Sequence, residues 1–369
     1  MFLLLVLLTL SVMVLPLLPA LQEWLRPSDV VPLKIDESDA LDPPGLARSF
    51  AALLAGALQA GATQLGGADI ASVDQAVAEV GLPLSAAEIT AGRSDRLWRI
   101  EGDVQLPDGT DFYVELQALA DLRTAPRQVY RALWAGGIAA LAPHTTVLRW
   151  AHGRVVHVAT GCHLAGRVTA QQYLMLAPDV GFMLLHAPCI SFEPQPATGA
   201  ARAQAEPEPR PMIRDWPTGV VWTDSVRRAF ARTALQLPGH TAWAGDVVCL
   251  SHLALGEHSQ AGGSLKARGD LFVDQHSCVS GSLVAEGVIE LAGHCTVLGA
   301  VVSETAILIG PGCTIGTLDK PATVTAPQIR MAAGTRVHGT VWATEQGLTF
   351  EPQADVAVPV PVPEQGVSA

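Results

Sequence analysis

Apolar residues recur at a fixed step of 18 through the second half of the chain. Trp243, Ala261, Val279, Val297 and Ile315 form one series, Leu237, Leu255, Val273, Leu291 and Ile309 a second, and Leu253, Leu271, Ile289 and Ile307 a third. Within each unit apolar and polar positions alternate, as in Leu271-x-Val273, Ile289-x-Leu291 and Ile307-x-Ile309, the period of a strand with one face inward. Each alternating run is short and bounded by Gly, Pro, Asp or Ser. One unit therefore predicts a single coil of a parallel β-helix with about three short sides. A lone coil cannot bury its inner face. Coils stacked about 4.8 Å apart pair every backbone with its neighbours and seal a continuous core. After Ile315 the step lengthens to 22, reaching Val337, Gly339 and Val341, with Asp319 to Ala322 as the expected insertion.

A looser version of the period runs earlier. Phe112, Val129, Val147, Leu164 and Phe182 are 17 or 18 apart, and Leu106, Leu141, Val158 and Leu176 supply a second column. Ala132 to Leu141 also reads as an apolar helix, but Gly136 and Gly137 and the kept step favour coils. The chain thus predicts an all-β fold, with a first β-helical block at 86–192 and a second at 237–346. Between them, 193–236 holds a Pro-rich excursion, EPQPATGAARAQAEPEPRP. It is followed by a short helix from Asp224 to Leu235, capped by Asp224, with Val226, Phe230 and Ala234 on one face. Residues 27–85 read as a helical or irregular connector with a helix within Leu41–Ala62, and 347–369 as a disordered Pro-rich tail.

The first 26 residues change the cellular picture. MFLLLVLLTLSVMVLPLLPA carries no charge, and Phe2, Leu3, Leu4, Leu5, Val6, Leu7 and Leu8 begin an apolar run long enough for a transmembrane helix. A cleaved signal peptide is the alternative, although the basic residues that would precede its apolar core are missing. Arg26 and Lys34 follow the span, which places the bulk of the chain in the cytoplasm of a bacterium as a single-pass inner-membrane protein. The net charge of −12, with no run of basic residues, excludes a nucleic-acid partner. The six cysteines show no metal-type spacing; Cys295 and Cys313, 18 apart, are expected to be free buried thiols in adjacent coils.

Candidate chemistry is sparse. His240, His258, His276 and His294 share the 18-residue step, so four imidazoles are expected to form a ladder along one corner, about 5 Å from rung to rung. A turn residue repeated with its coil accounts for it. A transition-metal site or a response to mild acid is the sharper reading. Asp270, Asp274, Glu286, Glu290 and Glu304 fall at turns or outward positions and read as a solvated face. Gln260 to Gly263 lacks the context of a phosphate loop. No catalytic constellation and no cofactor is expected. The rod end at Val337 and Val341 lacks a visible cap, which predicts self-association there.

The units GSLVAEGVIELAGHCTVLGAVVSE, within Leu237–Ala343, resemble the bactofilins, polymer-forming bacterial cytoskeletal proteins. The family step stands here as Gly281, Leu283, Ala285 and again as Gly299, Val301, Ser303. The resemblance implies nucleotide-independent self-association through β-helix ends, membrane association, and a scaffolding role among envelope or peptidoglycan-associated proteins. The full apolar span, the divided rod and the 193–217 insertion depart from the compact family form. IGPGCTIG at Ile309–Gly316 looks instead like the hexapeptide pattern of left-handed β-helix acyltransferases, the alternative that would make the chain an enzyme.

Overall fold

The computed structural model describes residues 42–192, 211–213 and 216–351. The expected transmembrane segment and nearly all of the tail lie outside these residues. Among the described residues, no helix is long and apolar enough to cross a membrane.

The strands form a β-solenoid of about 13 turns with about 18 residues in each. In the second block the three apolar series fall in register as expected: Trp243 lies one coil from Ala261, Leu237 from Leu255, and Leu253 from Leu271. All three columns are buried. Each Val, Leu or Ile so enclosed contributes roughly 1.5–3 kcal/mol of transfer free energy. The glycine column at 263, 281 and 299 answers to close approach. A Cβ on Gly281 would stand 2.4 Å from the Ser264 nitrogen of the coil below. The stretched step is confirmed, with Ile315 paired to Val337 after a turn in which the Thr317 and Lys320 backbones bond to each other.

Several boundaries differ from the sequence reading. The first block starts before residue 86, because Ala68–Val73 already pairs in parallel with Leu97–Ile100. Residues 86–91 are instead a short helix. Among the described residues the helices are α1 (Gly45–Gln59), inside the predicted range, α2 (Gln75–Val80) and α3 (Ala86–Ala91). Ser85 caps α3 in a reciprocal box with Glu88, whose carboxylate also accepts hydrogen bonds from Ser94 and Arg96. Tyr130, not Val129, holds the place between Phe112 and Val147, and its ring stacks on Phe112 at 5.6 Å. Ala132–Leu141 is coil of the solenoid, in two strands.

The expected helix from Asp224 to Leu235 does not form. Val220–Thr223 and Arg228–Ala231 make an antiparallel hairpin, with Arg227 at φ 48° in its turn, and Arg228–Ala231 is already a rung of the second block. Ala229 and Ala231 point inward at period two, which satisfies the core better than a helical face would. At the other end the last strand runs from Arg336 to Phe350, so residues 347–350 belong to the sheet and not to a tail.

The blocks meet carboxyl end to carboxyl end. Strand Gly181–Phe192, the last of the first block, pairs antiparallel with Arg336–Phe350, the last of the second. The core passes through this joint without a break: Leu185, Ile190, Val337 and Val341 are all fully buried.

Candidate functional site

The histidine column forms the ladder that its spacing predicts. Ring centroids of His240, His258, His276 and His294 are 5.0, 4.8 and 5.0 Å apart, and the rings lie within 15° of parallel. The reason is conformational. All four residues have φ between 54° and 61°, the left-handed region that ordinary side chains avoid and that Asn, Asp and His enter more readily. Each His N–H donates to a carbonyl of the next coil, from His240 to Glu257 through His294 to Pro311. Gly312 takes the fifth place at φ 70°, where a Cβ would stand 2.5 Å from His294 Nδ1. The first block repeats this corner with Arg127, His144, Gly161 and Asp179, all at positive φ. Gly312 and Pro311 of the IGPGCTIG stretch stand at this same corner.

The residue after most of these corners, though not Gln128 after Arg127 or Val180 after Asp179, carries a small hydrogen-bond donor. Ser259, Ser277, Cys295, Cys313 and Thr335 donate to Pro238, Gly256, Asp274, Ala292 and Gly310 carbonyl oxygens, and Thr145 and Cys162 to those of Ala125 and Ala142. Cys162, Cys295 and Cys313 are thus the sulfur members of a serine and threonine column. All the cysteines are free. Burial pushes the Cys162 thiol up to about 11, and the Cys295 sulfur together with burial raises that of Cys313 much further.

Parallel stacked imidazoles point their in-plane lone pairs along parallel lines, so the ladder does not converge on one ion. Among the described residues, no group of three or more His, Cys, Asp or Glu is placed to hold a metal ion. His240 Nε2 lies 3.3 Å from Glu257 Oε1, an exposed contact at the first rung. The five acidic residues expected on a solvated face are intermediate or exposed, and Glu290, between Phe272 and Leu308, has its carboxyl pushed up by desolvation.

A second polar row escaped the sequence reading. His152, Thr169 and His186 stand 17 apart and occupy one column, which Thr340 continues across the joint. His152 Nδ1 shares a hydrogen bond of 2.7 Å with Thr169 Oγ1, and His186 Nδ1 one of 2.9 Å with Thr340 Oγ1. The Gln171 amide donates to His152 Nε2 at 3.3 Å, which places the imidazole proton on Nδ1. Desolvation, with the nearby Arg48 charge, lowers His152 to about 4, and desolvation also lowers His186. The 17-residue step was the signal that could have found them.

Val337 and Val341, expected at an open end, lie inside the joint. Val337 pairs with Ile190 and Val341 with Leu185 of the same chain, so among the described residues this strand edge is already taken. The apolar anchor residues, Phe2 to Leu8, lie outside the described residues. No protein-family model, curated protein or solved structure matches the chain.

Proposed function

We propose that the chain is a rigid, membrane-tethered β-solenoid scaffold of bactofilin type. The single observation that carries this reading is the antiparallel joint of Gly181–Phe192 with Arg336–Phe350. It fuses two solenoids into one body of about 13 turns, roughly 60 Å long at the coil spacing, with no hinge in its core. A carboxyl-terminal end that is free to polymerise in a single solenoid is here consumed within one chain, so the rod has a set length and two amino-terminal tips. Its outer columns repeat side chains at the coil spacing, which suits display of envelope partners along a line. The apolar first 20 residues supply the tether.

The test has two parts. Full-length chain is expected to stay in the membrane fraction through high salt and carbonate washing, whereas a chain starting at Pro27 is expected in the soluble fraction. Negative-stain images of the shorter chain without nucleotide should show short rods of uniform length. Release of full-length chain by carbonate would remove the tether, and solenoids of continuously varying length would remove the fixed rod.

A further inference from the structure

The helix α1 lies on the outside of the first block and has a seat of its own. Ala151 of strand Thr146–Val158 belongs to the core, so Trp150 and His152 on either side of it face outward. Both are nevertheless buried. Trp150 and Ala132 close on Ala47 of α1, with Phe50 and Trp134 packed against them and the Phe50 ring 5.4 Å from that of Trp150. This cluster is separate from the continuous core of the solenoid, so α1 can leave it without opening a coil.

Little besides this seat holds α1 as a helix. Pro44 at its start offers no side-chain cap, its first turn has no acidic residue and its last turn no basic one. A helix of 15 residues is marginal in water on its own, so docking and folding of α1 are one event. Beneath it, His152 is in register with Trp134 of the coil before and Thr169 of the coil after. On the solenoid side its neighbours Trp134, Thr169 and Gln171 are neutral, as is Gln117 one coil further back, and His186 one coil further on is bonded to Thr340. On its own strand Arg149 and Arg154 are exposed, Arg149 lies 3.6 Å from Glu115, and His157 stands past the bulge at Gly153. From α1 the facing group is Arg48, which carries the same charge as a protonated imidazole.

We propose that α1 is a proton-released strap: protonation of His152 beneath it, against Arg48, expels the helix from its seat and leaves the solenoid intact. The docked helix keeps water from the imidazole. Undocking returns His152 to water and takes Arg48 away, so the undocked state binds the proton more tightly and is favoured as the pH falls. With His152 held to about 4 when docked and at 6.5 when free, the opening constant of α1 rises roughly twentyfold between pH 7 and pH 5. Release frees 15 further residues of chain ahead of the first strand, Gln64–Leu65. The inference goes beyond the scaffold reading and does not depend on it.

The test is hydrogen exchange of full-length chain in mild detergent at pH 7 and pH 5, read by mass spectrometry and corrected for the intrinsic pH dependence of exchange. Wild type is expected to lose protection about twentyfold in α1, while the second-block strands Leu283–Ala285 and Ile289–Leu291 keep theirs. His152→Gln, which keeps a partner for Thr169 but does not titrate, should abolish the loss. Arg48→Gln, an exposed change that leaves the coil as it is, should reduce it. Protection of α1 that does not fall in wild type, or that falls equally in the second block, overturns the strap. So does a fall as large in His152→Gln as in wild type or, should that variant not fold, as large in Arg48→Gln.

Discussion

Val341 lies directly opposite Leu185 on a strand running the other way, and both side chains are fully buried. The pair joins residues 156 positions apart, the difference of the two numbers, and fixes one solenoid to the other. A lysine at either place would put a charge into apolar core with no partner.

Val341→Lys is therefore expected to cost on the order of 4 kcal/mol in folding stability, read as a lower urea midpoint, and to leave the mass of the folded fraction unchanged. A Val341→Lys protein of wild-type stability but altered mass would return this strand to the surface.

The strict columns of the second block are legible because every coil up to Ile315 keeps 18 residues and each side chain column keeps its type. The first block was legible only in outline. Its steps vary between 17 and 18, and bulges at Phe112/Glu115, Val147/Trp150 and Gly153/Val155 shift the register, so spacing alone selects Val129 in place of Tyr130. Val226, Phe230 and Ala234 imitate a helical face by accident of spacing, while Ala229 and Ala231 are the residues that face the core. The joint left no trace in the repeat, since antiparallel pairing of two unrelated strands has no period. The histidine ladder was visible as a column, but its cause, a left-handed corner, needed the backbone angles.

That cause makes a graded prediction. Asn enters the left-handed region as readily as His, whereas a β-branched side chain does not. The double change His258→Asn and His276→Asn should alter stability by no more than about 0.5 kcal/mol. His276→Val alone should cost roughly 1–2 kcal/mol. Thermal melts of the variants decide it. If the Asn protein loses as much as the Val protein, the stacked rings themselves hold the corner.

Cys295 and Cys313 offer a chemical check. Both donate to carbonyl groups of the coil below and are 1% exposed or less. Adding a thiol reagent to the native protein should label them only on unfolding, and Cys313→Ser should preserve the donor to Ala292 at a cost below about 1 kcal/mol. Rapid native labelling at either position, or a mass showing a bridge between them, would contradict the buried donor column.

The last prediction concerns His152, which is 1% exposed and is held near 4 by desolvation and Arg48. The unfolded chain takes up a proton at this residue as the pH falls through 6.5, but the folded chain does not until about 4. Between these values the unfolded state binds more protons, so stability rises with pH. The contribution is fully present above 6.5 and is lost progressively as the pH falls toward 4. With each pKa unit equal to about 1.4 kcal/mol, the window spans ~3 kcal/mol. His186 and His157, also lowered by desolvation, act in the same direction. The comparison that isolates His152 is urea unfolding at pH 7 and pH 4.5 for wild type and for His152→Gln, whose amide can keep the hydrogen bond to Thr169 but does not titrate. Wild type should lose ~2–3 kcal/mol more than the variant across that interval. Parallel losses in the two proteins would mean that His152 charges as readily in the folded rod as in the unfolded chain.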